Sequence, residues 1–487
     1  MKSRYLIIVA LLVFIGGVTT ASTAAYAAPA TSSCAGHVGS SALTGSIGGA
    51  AYKIEVPINW NGTLALYSHG YVFPGQPNPA TDVGDPLTGA ALLSQGYALA
   101  GSSYSSQGWA LQQAFQDQIA LLNFFDQTCG HPFRTIAWGH SLGGIITAGL
   151  AQLFPNRFSA ALPMCGVLAG GVGTWNQALD GAFAFKVLLA DPASQIENLP
   201  PLPIVNFNPD PTQLSNELNE AEGILGAAQG TPQGRARIAL LSALGDTPGW
   251  FTPTSPEPAA NDFIDQEANQ FDWASQVDFP FLFFGRAELE GRAGGNPSWN
   301  LGVNYFEQFA KSANKQEVEA LYKQAGLNLA QDLAALNQAP RITAKPQAVQ
   351  YLAKFITFNG DLDIPVLTMH TTGDGLVVNQ DEQAYKSAVD EHGDASQLRQ
   401  IFVSRAGHCA FTPAETLAAF QTLINRLNTG RWDHSTDVNL LNQEATALGP
   451  SFNVFSVGGK LVPTPSAFVS FRPTVFLRPF NADHDGH

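Results

Sequence analysis

Phe133-Arg134-Thr135-Ile136-Ala137-Trp138-Gly139-His140-Ser141-Leu142-Gly143-Gly144-Ile145-Ile146-Thr147 is the stretch on which the reading of this chain turns. The run Phe133 to Trp138 is apolar and strand-like, Leu142 to Leu153 is helix-like, and between them Ser141 stands at the Gly-x-Ser-x-Gly spacing. A side chain that attacks a carbonyl must stand clear of its own backbone. A sharp strand-to-helix turn with Ser141 at its apex does this, and Gly139 and Gly143 keep neighbouring side chains out of the turn. The same turn puts the Leu142 N–H at a helix N-terminus, where unpaired donors and the helix dipole favour the negative charge of a tetrahedral oxyanion.

Reading upstream, Tyr52 to Val56 alternates as a strand, and Thr63 to Tyr67 is a second apolar run ending in Ser68-His69-Gly70-Tyr71. Asp85 to Gln95 reads as a helix, Tyr97 to Gly101 as a strand, and Trp109 to Phe125 as a helix with Leu111, Phe115, Ile119, Leu122 and Phe125 on one face. Downstream, Ala160 to Cys165 is another strand. Strands alternating with helices imply an α/β fold with a mostly parallel sheet covered on both faces. That rhythm stops between 170 and 358, where helical patterns with Pro and Gly breaks predominate, so this insertion is expected to fold as its own subdomain. The sheet pattern resumes at Pro365 to His370, followed by Gly373-Asp374-Gly375. A helix at Gln380 to Val389 and a strand at Leu398 to Val403 lead to Gly407-His408-Cys409, and a last helix runs from Thr412 or Pro413 to about Leu427.

A serine hydroxyl is a poor nucleophile unless a base takes its proton, and the base needs a carboxylate to orient it and to stabilise its charged form. In an elbow-type sheet both sit on loops after later strands, in the order Ser, acid, His. Asp374 and His408 meet that requirement. Asp361 and Asp363 precede the resumed strand and fall at its other end, while Asp381 and Glu382, inside the next helix, are expected to be solvated surface carboxylates. Among the ten histidines, His37 lies near the start, His392 follows a surface-type helix, and His434, His484 and His487 are in the tail. His370 ends a buried strand and suits a hydrogen-bonded wall position. A second oxyanion donor is expected from the loop after an earlier strand. The N–H of Tyr71 is the candidate there, Gly70 allows close approach, and His69 supports the loop. His140 is expected to support the elbow, and Trp138 to pack on the sheet.

As a set, Gly139-His140-Ser141-Leu142-Gly143-Gly144, Gly373-Asp374 and Gly407-His408 resemble the α/β-hydrolase superfamily, over about 63–168 and 364–428. The first of these is similar to the elbow of lipases and esterases. The resemblance implies an eight-stranded, mostly parallel sheet, a triad of Ser141, Asp374 and His408, and a cap formed by the insertion. The superfamily also includes exported aminopeptidases with helical caps, so the fold leaves the bond cleaved open. Tannases share a cysteine after the histidine, as Cys409 is here, but place another before the nucleophile, where this chain has His140.

Lys2 and Arg4 precede an apolar run from Leu6 to Val18 and then Ala25-Tyr26-Ala27, the layout of a secretory signal peptide with cleavage expected after Ala27. The apolar run is shorter than the roughly 20 residues that span a bilayer. The division of the chain is therefore 1–27 signal, 28–169 and 359–429 the two parts of the core, 170–358 the cap, and 430–487 a C-terminal extension packed on the core. Four cysteines in an exported chain allow three disulfide pairings. Cys165 ends a strand and Cys409 follows His408, so both can lie at one sheet edge; this favours Cys165 with Cys409 and leaves Cys34 with Cys129. Four free thiols would be the contrary case.

A net charge of −15 disfavours nucleic acid and anionic membranes as partners, and none of the metal-ligand spacings sought is present. The expected function is an exported serine esterase, needing no cofactor, for a small or polymeric ester. A peptidase with the same triad would need acidic cap residues facing the site; Glu217, Glu220, Glu222, Asp262, Asp265 and Glu267 are available, and ordinary helix-surface charge explains them equally well. The same residues would also serve acyl transfer to an alcohol, and a non-catalytic binding protein could retain the scaffold without the chemistry.

Overall fold

The computed structural model describes residues 32–197 and 200–480. The expected signal segment, with its cleavage point after Ala27, and the tail histidines His484 and His487 lie outside the described residues. Eleven strands are present among those described: β1 (Leu43–Ile47), β2 (Ala50–Glu55), β3 (Thr63–Ser68), β4 (Ala98–Ser102), β5 (Arg134–His140), β6 (Ala160–Met164), β7 (Val366–Gly373), β8 (Leu398–Ala406), β9 (Val454–Val457), β10 (Lys460–Pro463) and β11 (Phe468–Val469). Nine of them form one sheet in the order β1-β2-β4-β3-β5-β6-β7-β8-β11, and β9 with β10 makes a separate hairpin. From β4 across to β8 all pairs are parallel. The two ends are antiparallel, with β1 and β2 at one edge and β11 on β8 at the other.

The central strands are buried on both faces and read as continuous apolar runs for that reason. Successive side chains still alternate between layers. Leu64 and Leu66 pack on the helices Leu111–Thr128 and Leu142–Leu153. Ala65 and Tyr67 pack on the opposite layer, which includes Pro86–Ser94 and Pro413–Thr429. Trp138, fully buried, meets Tyr67 and Phe420 edge-on at 5.1 and 5.8 Å.

The resemblance implied eight strands, and the sheet has nine. The additional strand is β11, from the C-terminal segment, which satisfies hydrogen-bonding groups on the edge of β8 through Phe468–Val403 and Val469–Phe402. Beyond it the chain crosses the molecule. Phe476 N–H donates to Gln383 Oε1 (2.8 Å), and Arg478 pairs with buried Asp180 (2.7 Å) and donates to Trp299 O.

Between β6 and β7 the described residues contain helices and no strand. Their apolar faces make a separate core that includes Leu179, Phe183, Phe185, Leu240, Leu244, Phe283 and Tyr322. Asn304 to Ala339, one long helical pattern in sequence, is three helices, Tyr305–Lys311, Lys315–Ala325 and Leu329–Gln338, because Ser312-Ala313-Asn314 and Gly326 break it. Gly326 closes the middle helix with φ +67°, a left-handed conformation suited to glycine.

Both disulfides follow the favoured pairing, Cys34–Cys129 and Cys165–Cys409, with Cα–Cα distances of 4.9 and 5.3 Å.

Candidate active site

Ser141 follows β5, Asp374 follows β7 and His408 follows β8, so parallel pairing carries all three to the same edge of the sheet. There His408 lies between the other two. Its Nε2 is 2.8 Å from Ser141 Oγ and its Nδ1 is 2.8 Å from Asp374 Oδ2. Asp374 is fully buried and also accepts from the Leu376 and Val377 N–H groups, both at 3.1 Å. Burial alone raises a carboxyl pKa, but the adjacent His408 and His370 outweigh it and hold Asp374 below the usual carboxylate range. An ionised acid behind a histidine that touches a serine hydroxyl is an arrangement able to accept the serine's proton.

The elbow is held by close backbone contacts. Ser141 has φ +59°, a left-handed conformation unusual for a residue with a Cβ, and its N–H donates to Met164 O. A Cβ on Gly139 or Gly143 would run into the Ser68 carbonyl, so only glycine lets β3 and the elbow approach this closely. Across from Ser141, a Cβ on Gly70 would sit 3.3 Å from Ser141 Cβ and 3.7 Å from its Oγ. The N–H groups of Leu142 and Tyr71 have no hydrogen-bond acceptor among the described residues.

The supporting histidines lie around this frame. His69 donates through Nδ1 to Gly70 O (2.8 Å) and stacks on Tyr104 with centroids 4.1 Å apart. His140 shares a hydrogen bond with Tyr67 (3.0 Å), and burial together with the charge of His408 pulls its pKa down to about 4. His370 is fully buried, 2.8 Å from Val377 O and 3.3 Å from Glu382. The Cys165–Cys409 bond sits directly behind the site, with Cys409 Sγ 3.4 Å from His408 Nε2.

Against this geometry, an o-phthalyl amidase from Xanthobacter agilis is 30% identical over 443 residues, covering 85% of this chain and 93% of its own. The chain belongs to the family of this amidase. It is a hydrolase. No protein-family model matches it. Solved structures similar to this hydrolase include feruloyl esterase B from Aspergillus oryzae, at 14% identity and TM-score 0.40 over 80% of this chain and 81% of that one. Proline iminopeptidase from Mycobacterium smegmatis is 13% identical with TM-score 0.33, over 84% and 100%.

Beside Ser141 the hydrolase has a cavity of about 1020 Å³, its mouth included, which reaches among the helices of the insertion. Trp109, Trp175, Leu241, Phe279, Phe281 and Leu282 make it apolar. Glu288, on the helix Arg286–Ala293, ties the insertion to the core beside this cavity. It accepts from Trp109 N–H (2.9 Å), Tyr71 OH (3.4 Å) and Arg292 Nε (2.7 Å).

The structure corrects one expectation. Asp381 and Glu382 are fully buried rather than solvated. Asp381 accepts from Ala169 N–H (2.9 Å) and Thr174 Oγ1 (3.1 Å), and Glu382 accepts from Thr368 Oγ1 and lies against His370; these partners offset the cost of burial. None of Glu217, Glu220, Glu222, Asp262, Asp265 and Glu267 lines the cavity, and Glu267 is instead buried against Gln229. The carboxylate that does line it is Asp278, with Gln177 and Thr247 among the other polar residues. Asp278 had one sequence signal, a lone charge in the apolar stretch Val277 to Phe284.

Proposed function

We propose that this hydrolase cleaves carboxylic esters through an acyl-enzyme on Ser141. His408 Nε2 takes the Oγ proton as the Oγ–carbon bond forms, and returns it to the departing alcohol as the ester bond breaks. Asp374 fixes the imidazole and balances its charge, and the N–H groups of Leu142 and Tyr71 hold the oxyanion. Water, deprotonated in turn by His408, releases the acid. The observation that carries this reading is the pair of 2.8 Å contacts that His408 makes with Ser141 and Asp374 at the ends of three parallel strands. No cofactor enters the scheme.

Residues 170–358 act in this scheme as a cap over the apolar cavity, which suits a compact apolar acyl or alcohol group. We further propose that the protein is exported, supported by the signal-like start and by two disulfides. No helix among the described residues is long and apolar enough to cross a membrane.

A second reading, amide cleavage by the same residues, is favoured by the amidase relative. An amine leaves less readily than an alcohol, so proton donation by His408 matters more for an amide. Mature protein should be tested on the p-nitrophenyl ester and the p-nitroanilide of one aromatic acid, with fluorophosphonate labelling alongside. Labelling abolished by S141A, with ester turnover, is expected. Faster anilide turnover replaces the ester reading with the amide one, and unlabelled, folded protein overturns the mechanism.

A further inference from the structure

Asp278 stands out in the cavity beside Ser141, because its carboxyl group has no hydrogen bond or ion pair among the described residues. Among the described residues no lysine or arginine lines the cavity. Its other polar side chains are largely engaged: Thr174 donates to Asp381, Gln177 to Gly245 O, and Tyr71 to Glu288. Asp278 lies at the end of an irregular stretch of helix on the cavity wall. Ala274–Asp278 is a π-helical turn, closed by Phe279 N–H donating to Ala274 O, and a second π turn follows at Phe281–Gly285. Ala274, Asp278, Phe279, Phe281 and Leu282, all from this stretch, line the cavity wall.

An unpaired carboxylate here is costly. Burial, and then repulsion from Asp374, raise its pKa well above the ordinary value. Further carboxyl groups, Asp180, Asp246 and Asp381, lie buried near the cavity wall, with Arg478 and His370 as their cationic neighbours. An anionic substrate group would meet no lysine or arginine on the described cavity wall, and a neutral hydroxyl would leave an ionised Asp278 without a countercharge. A protonated amine supplies both the missing donor and the missing charge.

We infer that Asp278 is a specificity-determining residue that binds a protonated amine on the substrate, so that the preferred substrate carries one cationic amine on an otherwise apolar acyl group. This rests on the acyl-enzyme reading above. The apolar walls hold the hydrocarbon frame while Asp278 takes the ammonium, and neither contact involves the bond being broken.

The test compares two esters of nearly equal shape, the p-nitrophenyl esters of 4-(aminomethyl)benzoic and 4-ethylbenzoic acids, on the full chain at neutral pH. Wild type is expected to favour the cationic ester by roughly tenfold to a hundredfold in kcat/KM, the range of a hydrogen bond to a charged group. In D278N that ratio should fall toward one. Equal turnover of the two esters by wild type, or a ratio that D278N leaves in place, overturns the inference. Should D278N fold poorly, wild type alone still decides, because benzylammonium should compete with the 4-ethylbenzoate substrate far better than benzyl alcohol does; equal inhibition counts against Asp278. Fluorophosphonate labelling of Ser141 separates the two levels of failure. Labelled protein without charge preference removes only the role of Asp278, whereas unlabelled protein removes the acyl-enzyme reading with it.

Discussion

Removing the Cys165–Cys409 disulfide should cost both stability and reactivity, and removing Cys34–Cys129 should cost stability alone. The first bond closes a chain separation of 244 residues and the second one of 95. Loop-closure entropy on these lengths gives about 5.5 and about 4.7 kcal/mol at 25 °C, so the two deletions should destabilise by amounts within about 1 kcal/mol of each other. Reactivity differs because Cys409 adjoins His408 and holds φ +55°, with Cys165 opposite at φ +43°. A left-handed residue with a Cβ costs roughly 1–2 kcal/mol. Freed of the bond, Cys409→Ala can relax by that amount and carry His408 away from Ser141, leaving a competent fraction that lowers kcat/KM about 5- to 30-fold. The other ties of this loop, Gly407 N–H to Gly373 O (3.0 Å) and Arg405 to Ala410 O (2.7 Å), keep the loss from being total. Urea unfolding and ester turnover well below the unfolding midpoint should be measured on C165A/C409A and C34A/C129A. Unchanged kcat/KM in C165A/C409A refutes the positioning argument, and a stability loss under about 1 kcal/mol in both refutes the cross-link argument.

Two further outcomes follow from buried charge. Arg405 and Glu415 form a two-contact ion pair (2.7 and 3.0 Å) that also holds Pro465 O and the Ala467 N–H, so R405M should cost about 3–5 kcal/mol by leaving Glu415 unpaired, as read by chemical denaturation. A loss under about 1 kcal/mol would show that solvent reaches Glu415. For His370, burial lowers the pKa but the hydrogen bonds and charges of Asp374 and Glu382 outweigh it and raise the value from 6.5 to about 10. A raised folded-state pKa contributes stability that is full below about 6.5 and is lost as pH rises toward 10. The stability advantage of wild type over H370Q should therefore shrink by about 3 kcal/mol between pH 7 and 9.5. Parallel pH curves for the two proteins would count against a charged His370.

Much of the site was legible in sequence because its parts obey local rules. The elbow needs Gly139, Ser141 and Gly143 in one turn, and Asp374 and His408 each follow a strand that its own apolar pattern reveals. The preferred disulfide pairing was readable from the same placement of strand ends. Asp381 and Glu382 look solvated in sequence because a polar helix position shows nothing of the partners that bury it. Those partners, Ala169, Thr174, Thr368 and His370, come from other elements. Strand β1 is not legible in sequence because Leu43–Ile47 is short and largely exposed, with little apolar signal of its own.

The amino-acid sequence by itself determined the order of strands and helices and the chemistry at their ends, since hydrophobic period, turn residues and strand-end positions are properties of neighbours along the chain. Tertiary structure decided what those neighbours could not. It set the 2.8 Å line through His408, the ninth strand on β8, and the run of the C-terminal segment to Asp180. It also placed Asp278 in the cavity and left the six acidic candidates outside it. Each of these depends on side chains brought together across long separations, where burial and missing partners change what a residue can do.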